Sequence, residues 1–456
     1  MEILRSVGWF LVAIAILVAF HEYGHFWVAR KLGVKVLRFS VGFGKVLWSR
    51  KGADGCEYAL SAVPLGGYVK MLDEREGEVA PEELHLAFNR AAAWRRLLIV
   101  AAGPAANLLL AIVFFWAVFV IGQPGLRPVI AAPPAESVAA KAGLAAGELI
   151  TAVDGAPVAT WTQLRTLLLE AAVDHKPLTL SVAHSLEDAS SRSVAMNLAK
   201  VRIDPEVLFV DLGLSPFQPL LDPVLAEIEP GSAADQAGFK VGDRILSHDG
   251  EPVADFGSWA KWIRAHPAVV SIVSVQRGGT TLTLKPLIGS RKEGETLIGR
   301  IGAGAKNLPG QWKKYETDDR LGPIAAVPAA FAETWRMSTL TLKMFGRMFT
   351  GEVSVKNVSG PIQIAEAAGF TASIGVAAFL SFMALVSVSL AVLNLLPVPV
   401  LDGGHLVFYA YEMIRGEPVP EKFVQMGQRV GITLLVMLMG LAFYNDLSRV
   451  FSAFKF

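Results

Sequence analysis

Four stretches of the chain consist almost entirely of apolar residues. The first, Trp9–Phe20, runs into a short polar cluster and then resumes. Leu97–Gly122 has no charged residue over 26 positions and Ala367–Leu401 has none over 35, whereas Val430–Asn445 covers only 16. Because a helix needs about 20 apolar residues to cross a bilayer, the pattern predicts four transmembrane helices, of which the first and last are the shortest.

Basic residues indicate how these helices are oriented. Seven Lys and Arg residues lie between Arg30 and Lys51, and Arg95 and Arg96 precede the second span. Short loops that are rich in Lys and Arg stay on the cytoplasmic side. We therefore expect segment 31–95 to be cytoplasmic, and both termini and the long segment between the second and third spans to lie outside.

The long external segment contains a duplication. At an offset of 95 residues, positions 128–159 match positions 223–254 at 14 of 32 sites. Each copy predicts a short strand, an Ala-rich helix ending at Gly, a strand, an Asp-Gly turn and another strand, since Gly ends helices and Asp-Gly favours tight hairpins. This pattern resembles PDZ domains of the bacterial protease type.

The role of these two modules is open between two alternatives. PDZ domains can bind a peptide by adding it as a strand to a sheet edge. The copies begin with PVIA and PVLA, however, and not with a Gly-rich loop suited to a terminal carboxylate. The other role is that of a spacer or steric gate.

The polar cluster in the first span carries candidate chemistry. His21-Glu22-Tyr23-Gly24-His25 is an H-E-x-x-H motif. At 3.6 residues per turn, His21 and His25 share one helical face, which suits two ligands of one tetrahedral zinc ion, and Glu22 can serve as general base. Ionisable side chains within an apolar helix are commonly functional. The alternatives are a helix end that reaches water and a proton or cation pathway.

A catalytic zinc site needs a third protein ligand. Asp402, within NLLPVPVLDGGH at 394–405, is the first acidic residue after 35 uncharged ones. It is expected on the same side of the membrane as the histidines, next to Pro397 and Pro399, which interrupt helical hydrogen bonding. A simple Asp-Gly-Gly turn is the alternative, and His405 is a competing ligand for which a supporting or helix-start role is favoured.

Composition agrees with a membrane protein and excludes several other classes. The chain has 456 residues, of which 53% are hydrophobic and 18% charged, with a mean hydropathy of +0.45. Soluble proteins carry about 25% charged residues. The net charge of +1 provides no field for nucleic acid, so no nucleic-acid partner is expected. The lone cysteine, Cys56, excludes an internal disulfide and a Cys-rich zinc site, and we expect it to be a small buried residue.

Taken together, these motifs resemble the site-2 protease family of intramembrane zinc metalloproteases. The resemblance implies Zn²⁺ as cofactor, His21, His25 and Asp402 as its ligands, Glu22 as catalytic base and Asn394 as a residue that helps to hold the substrate. The motifs that carry it are HEYGHFWVAR at 21–30, FSVGFGK at 39–45, PLGGYVKMLDE at 64–74, AAGPAANL at 101–108, VSGPIQIA at 358–365 and NLLPVPVLDGGH at 394–405.

The resemblance also implies that residues 36–70 form a membrane-associated β-sheet whose edge pairs with substrate. Glycines among alternating apolar residues suit a strand that another backbone approaches closely. Ordinary hairpin turns are the other explanation for these glycines. The candidate substrate-binding residues are Gly42, Phe43, Gly44, Gly66, Gly67 and Tyr68.

Two further segments predict helix contacts and membrane contacts. Gly103–Asn107 in the second span has small residues that fit close helix packing, and Asn107 either hydrogen-bonds to the first span or simply packs. Leu321–Gly351 mixes aromatic and basic residues in an amphipathic pattern. That pattern predicts a helix along the outer membrane surface, with a soluble core helix as the alternative.

By resemblance, the function is intramembrane proteolysis in the inner membrane of a bacterium. The implied partners are the lipid bilayer and a single-span membrane protein, such as an anti-sigma factor already shortened outside during an envelope stress response, or a remnant signal peptide. Two other classes compete with this hypothesis: a non-catalytic membrane scaffold and a metal or proton carrier. A carrier would need more acidic residues in the membrane than Glu22 and Asp402.

The predicted fold class is a polytopic α-helical membrane protein with four transmembrane helices, a membrane-associated β-sheet and two external PDZ domains of α+β type. The predicted boundaries are transmembrane helix 1 at 1–30, the β-region and loop at 31–95, transmembrane helix 2 at 96–122, PDZ domains at 126–220 and 221–310, the amphipathic region at 321–366, transmembrane helix 3 at 372–401 ending in Leu-Asp-Gly, and transmembrane helix 4 at 428–446.

Overall fold

The computed structural model describes residues 2–454, apart from 189, 200, 205–206, 219–220, 294–295 and 306–311. The helices are α1 Glu2–Lys31, α2 Ala93–Ile121, α3 Val138–Lys141, α4 Trp161–Val173, α5 Leu208–Leu212, α6 Ala233–Gln236, α7 Phe256–Ala265, α8 Ala326–Phe349, α9 Pro361–Ile374, α10 Val376–Leu395, α11 Asp402–Arg415 and α12 Glu421–Phe454. The strands are β1 Val36–Lys51, β2 Glu57–Met71, β3 Pro124–Leu126, β4 Leu149–Val153, β5 Ala156–Pro157, β6 Leu178–Ala183, β7 Ser191–Met196, β8 Leu225–Ile228, β9 Arg244–His248, β10 Glu251–Pro252, β11 Val273–Arg277, β12 Thr280–Leu284, β13 Gly289–Glu293, β14 Thr296–Arg300, β15 Ala303–Ala305 and β16 Glu316–Asp318.

Four helices among the described residues are long and apolar enough to cross a membrane, namely α1, α2, α10 and α12. This confirms the predicted number of spans. The helix α2 lies between α1 and α10, where Leu17 and Leu110 share one apolar cluster and Phe115 and Val388 share another. The packed bundle is therefore built from α1, α2 and α10.

The helix α12 meets the rest of the chain mainly near its two ends. Gly431 lies against Val400, where an added Cβ would come within 2.7 Å of a Val400 methyl. Towards the other end, the buried Asp446 carboxylate accepts hydrogen bonds from the backbone N–H groups of Gly360, at 3.3 Å, and Ile362, at 2.8 Å. A carboxylate at the first turn of a helix satisfies N–H groups that have no partner inside that helix, so Asp446 ties α12 to the start of α9.

The third span is shorter than the predicted 372–401. The uncharged run is divided at Gly375, whose φ of 145° separates α9 from α10. At the other end α10 stops at Leu395, because Pro397 and Pro399 lack the N–H groups that would continue it. Asp402 consequently does not end the third span but begins α11, with Leu401 at the N-cap position. The fourth span, predicted at 428–446, is longer in the structure and runs over Glu421–Phe454.

The strands β1 and β2 are long and both bend. Each contributes two segments, and the four segments together form one sheet. The first half of β1 pairs on one side with the end of β2, as in Val41 with Gly67, and on the other side with its beginning, as in Val41 with Leu60. The second half of β1 then pairs with the same beginning of β2. Gly42 and Gly44, with φ of 93° and 84°, allow the bend in β1.

The two copies of the duplicated segment fold with the same sheet topology. Their strand orders are β5-β4-β6-β7 and β10-β9-β11-β12. At the predicted hairpin turns, Asp154 and Gly155 have φ of 48° and 80°, and Asp249 and Gly250 have φ of 44° and 88°. Positive φ at both central residues is what a type I′ turn requires, so the Asp-Gly turn predictions are confirmed.

The second copy contains a Gly-rich segment at residues 299–304. A cavity of about 630 Å³ lies beside α7 and residues 299–304 and is lined by Trp259, Ile263 and Gly302, among others. This segment comes at the end of the copy and not at its beginning.

The first copy packs against α8 through apolar side chains, and charged residues lie at the edge of this contact. Val173, at the end of α4, shares a buried cluster with Met337 and Leu340 of α8. Beside it, Lys343 Nζ lies 2.8 Å from Asp174 Oδ1. Burial alone would raise the pKa of Asp174, but the hydrogen bonds and charges of Lys343 and Lys176 together lower it.

A second polar contact, in which His175 and Arg347 meet Glu352, lies at the same edge. His175 Nε2 lies 2.7 Å from Glu352 Oε2, and Arg347 lies at the same distance from that oxygen. Hydrogen bonds from His175 and Arg347 lower the pKa of Glu352 to about 2. The position of the first copy therefore depends on charge pairs as well as on apolar packing.

We expect Asp174→Lys to loosen the first external copy, because it sets two cations against each other at the α4–α8 contact. An exposed pair contributes about 1 kcal/mol or less, which corresponds to a change of about fivefold. Hydrogen exchange of α4 amides should accelerate by about that factor in Asp174→Lys and return towards wild type in the double variant Asp174→Lys/Lys343→Asp. Unchanged exchange in the single variant would contradict a role for the pair in docking.

Candidate metal centre

Three donor atoms converge from two helices that are distant in sequence. His21 and His25 lie one turn apart on α1, and their Nε2 atoms are 3.2 Å from each other. Asp402, in the first turn of α11, places Oδ2 3.1 Å from His21 Nε2 and 3.6 Å from His25 Nε2. Among the described residues, these three form the group of His, Cys, Asp or Glu side chains that is close enough to share a metal ion.

The chemistry of this group fits zinc. Both histidines are buried, each with 8% of its surface exposed. Asp402 Oδ2 is also buried and receives no well-aligned hydrogen bond from any described residue. Two imidazole nitrogens and a carboxylate oxygen are the usual ligands of catalytic zinc, at metal–ligand distances of about 2.0–2.2 Å. In a tetrahedral site, those distances separate the ligand atoms from one another by about as much as these three donor atoms are separated.

The irregular segment after α10 brings Asp402 to the histidines. It is packed so closely that a Cβ added at Gly403 would overlap the Leu396 carbonyl, and one at Gly404 would overlap the backbone at Pro399. Only glycine fits at these two positions. The Asp-Gly-Gly sequence therefore serves to start α11 tightly against the preceding loop, and this start aims the carboxylate at α1.

The helix α2 packs directly against the two imidazoles. His25 Nδ1–H donates a hydrogen bond to the Ile99 carbonyl at 2.9 Å. A Cβ added at Gly103 would overlap the His25 ring, and one added at Gly24 would overlap the Ala102 carbonyl. The close contact predicted for Gly103–Asn107 is therefore present. Gly24, Ile99 and Gly103 were not predicted to belong to the site. The small residues in both helices could have indicated that α1 and α2 pack closely at this point.

The sheet reaches the site at Glu22. This side chain is half-buried next to the end of β2, where a Cβ added at Gly67 would lie 2.8 Å from Glu22 Cγ and 2.7 Å from the Ser40 carbonyl. Gly66 is covered by the Phe43 ring, which stacks on Tyr68 at a centroid distance of 6.3 Å. The absence of a side chain thus lets the Phe43 ring pack on Gly66 and lets Glu22 pack on Gly67.

The other candidate residues occupy different places. Gly42 and Gly44 lie at the bend of β1, which fits the hairpin explanation of their occurrence. Asn394 lies half-buried one residue before the end of α10. His405 is outside the three-residue group and stacks on Tyr409 at 6.3 Å, in the wall of a separate cavity. The structure therefore brings Asp402, and not His405, to the histidine pair.

Comparison with known proteins agrees with this geometry. Residues 9–438 match peptidase family M50. The chain is 42% identical to the regulator of sigma-E protease RseP of Escherichia coli (strain K12), over 99% of this chain and 100% of the relative. It is 43% identical to a putative zinc metalloprotease of Xylella fastidiosa (strain Temecula1), over 98% and 99%, and 42% identical to protease RseP of Yersinia pestis, over 99% and 100%. The chain therefore belongs to peptidase family M50, the site-2 proteases, and is a zinc-dependent metalloprotease.

Proposed function

We propose that this protein cuts single-span membrane proteins within their transmembrane segments, with His21, His25 and Asp402 as zinc ligands and Glu22 as general base. The observation that carries the proposal is the convergence of two α1 imidazoles and the α11 carboxylate within 4.8 Å of one another inside an apolar helix bundle. Zinc at this position supplies Lewis-acid activation of water and of the scissile carbonyl.

The chain's own residues account for the proton transfers. Glu22 follows His21 directly in α1, on the side of the sheet. It takes a proton from the attacking water and returns it to the leaving amine nitrogen, which is the usual role of a carboxylate in this motif.

The end of β2 is the proposed binding edge for the substrate backbone. A transmembrane helix hides its carbonyls in internal hydrogen bonds, so it must unwind before hydrolysis. Pairing with residues 66–71 replaces those bonds with strand bonds and carries the unwound segment past Glu22. Asn394, near the end of α10, helps to hold this segment.

The substrate class follows from the relatives and from the external domains. The Escherichia coli relative is named regulator of sigma-E protease, so we propose a membrane-bound anti-sigma factor as substrate, with remnant signal peptides as further substrates. The two external copies act as PDZ-type modules that exclude substrates with intact outer domains. Segment 31–95 faces the cytoplasm of a bacterial inner membrane, and the termini and external copies face the periplasm.

Glu22→Gln should abolish cleavage while zinc stays bound, because the amide keeps the shape of the side chain but accepts no proton. General-base removal costs about 10²–10⁴-fold in rate. The measurement is cleavage of a shortened single-span substrate in detergent, with zinc content determined by elemental analysis. Glu78→Gln, at an exposed carboxylate of the loop, is the matched control, and near-normal cleavage by Glu22→Gln would remove its assignment as base.

Asp402→Ala should lose zinc, whereas His405→Ala should retain it. The two residues are three positions apart in α11, but only Asp402 reaches the histidine pair. Zinc content and the melting temperature with and without a chelator distinguish them. A chain that loses zinc on His405→Ala and keeps it on Asp402→Ala would reverse the ligand assignment.

Gly103→Ala should weaken zinc binding without touching any ligand, since the added methyl overlaps the His25 ring. Gly440→Ala in α12 makes the same chemical change at a position with open space around it and should have no effect. Competition with a metal-sensitive dye measures the affinity of both variants. Equal affinities would show that the α1–α2 contact gives way without displacing the imidazole.

A further inference from the structure

Asn107 is a fully buried amide next to a zinc-site histidine. It lies on α2 with none of its surface exposed, and its side-chain nitrogen Nδ2 is 3.4 Å from His21 Nδ1. Its Oδ1 atom is buried and has no hydrogen-bond partner among the described residues. Which end of this amide faces His21 is therefore decided by the proton position that the histidine requires.

The two ends of an Asn amide exchange places on a half-turn about the bond to Cγ, and the hydrogen-bond network decides between them. With the amide turned, Oδ1 faces His21 Nδ1 and accepts its N–H. The buried oxygen is then paired, and the imidazole has a defined proton on Nδ1.

That proton position is the one a metal ligand needs. His21 directs Nε2 towards Asp402 and His25, and a ligating nitrogen must be free of its proton. The proton of His21 therefore belongs on Nδ1. His25 has the same arrangement, because its Nδ1–H donates to the Ile99 carbonyl. Each imidazole is thus supported from α2, one by a backbone oxygen and the other by Asn107.

The neighbourhood of Asn107 holds it in place. Its backbone carbonyl accepts a hydrogen bond of 2.8 Å from the buried Ser387 hydroxyl of α10. Gly103, one turn earlier on α2, provides the space in which both imidazoles lie. The hydrogen bonds of α2 itself also hold the main chain of Asn107, so the amide keeps its approach to His21 without the Ser387 bond.

We propose that Asn107 is a positioning residue for the zinc ligand His21. Its amide oxygen accepts the Nδ1–H of His21 and thereby fixes the tautomer and ring rotation that present Nε2 to the metal. The inference rests on the proposed ligand set of His21, His25 and Asp402. Outer partners of this kind typically change metal affinity by about 10–100-fold when removed.

The test compares Asn107→Leu, which has no hydrogen-bonding group, with Asn107→Asp, which keeps the acceptor and loses the donor. Ser387→Ala is the matched control, because it removes a hydrogen bond from the same residue without touching a histidine. The full-length proteins are purified in detergent, stripped of metal and titrated with Zn²⁺ against a competing chelator and with Co²⁺, whose visible spectrum reports the ligand geometry.

Asn107→Leu should bind both metals about 10–100-fold more weakly and give an altered Co²⁺ spectrum, whereas Asn107→Asp and Ser387→Ala should stay within about threefold of wild type. Wild-type affinity and spectrum in Asn107→Leu would overturn the proposal. So would equal weakening in Asn107→Asp and Asn107→Leu, since a purely structural role does not distinguish an acceptor from an apolar group. If Asn107→Leu does not fold, Asn107→Ala takes its place with the same expectation.

His21→Ala, titrated in parallel, separates this inference from the ligand assignment. Loss of metal binding in His21→Ala together with full binding in Asn107→Leu leaves the ligand set intact and rejects the role of Asn107 alone. Full binding in His21→Ala rejects the ligand set and the inference with it.

Discussion

Imidazoles and carboxylates are unfavourable inside an apolar helix bundle unless they share a partner, and this constraint shapes the centre of the protein. His21 and His25 face Asp402 across about 3–4 Å. Three lone-pair donors at such separations repel one another, and a cation between them turns the repulsion into attraction. The proposed zinc site accounts for these residues in a helix that is otherwise apolar.

Close helix packing is the means by which the site is held. Gly24 and Gly103 let α1 and α2 approach until a single added carbon would collide, and Gly403 and Gly404 do the same where α11 begins. Small residues at helix contacts are the usual way to gain packing in a bilayer, where hydrophobic burial gives no advantage. In this protein the same contacts also fix the rings and the carboxylate.

The parts that we propose to present substrate are joined to this centre in two directions. The end of β2 lies directly against Glu22 through Gly67, so a strand added there passes the proposed base. On the other side, the first external copy is held on α8 by Val173 and by the Lys343–Asp174 pair. The helix α8 packs in turn against α2 and α10 through the cluster that includes Met337. A movement of the first copy can therefore reach the bundle through directly packed side chains.

The sequence by itself determined the four spans, the histidine pair and the duplication, because each follows from local periodicity: uncharged length, a spacing of four residues, and an offset of 95 with Asp-Gly turns. The tertiary structure alone decided that α9 and α10 are separate helices, that Asp402 begins α11, and that Ile99, Gly103 and Asn107 lie beneath the imidazoles. Backbone breaks such as Gly375 depend on what packs around them. Contacts between residues 74 and 86 positions apart depend on how helices cross, which the spacing of residues along one helix does not encode.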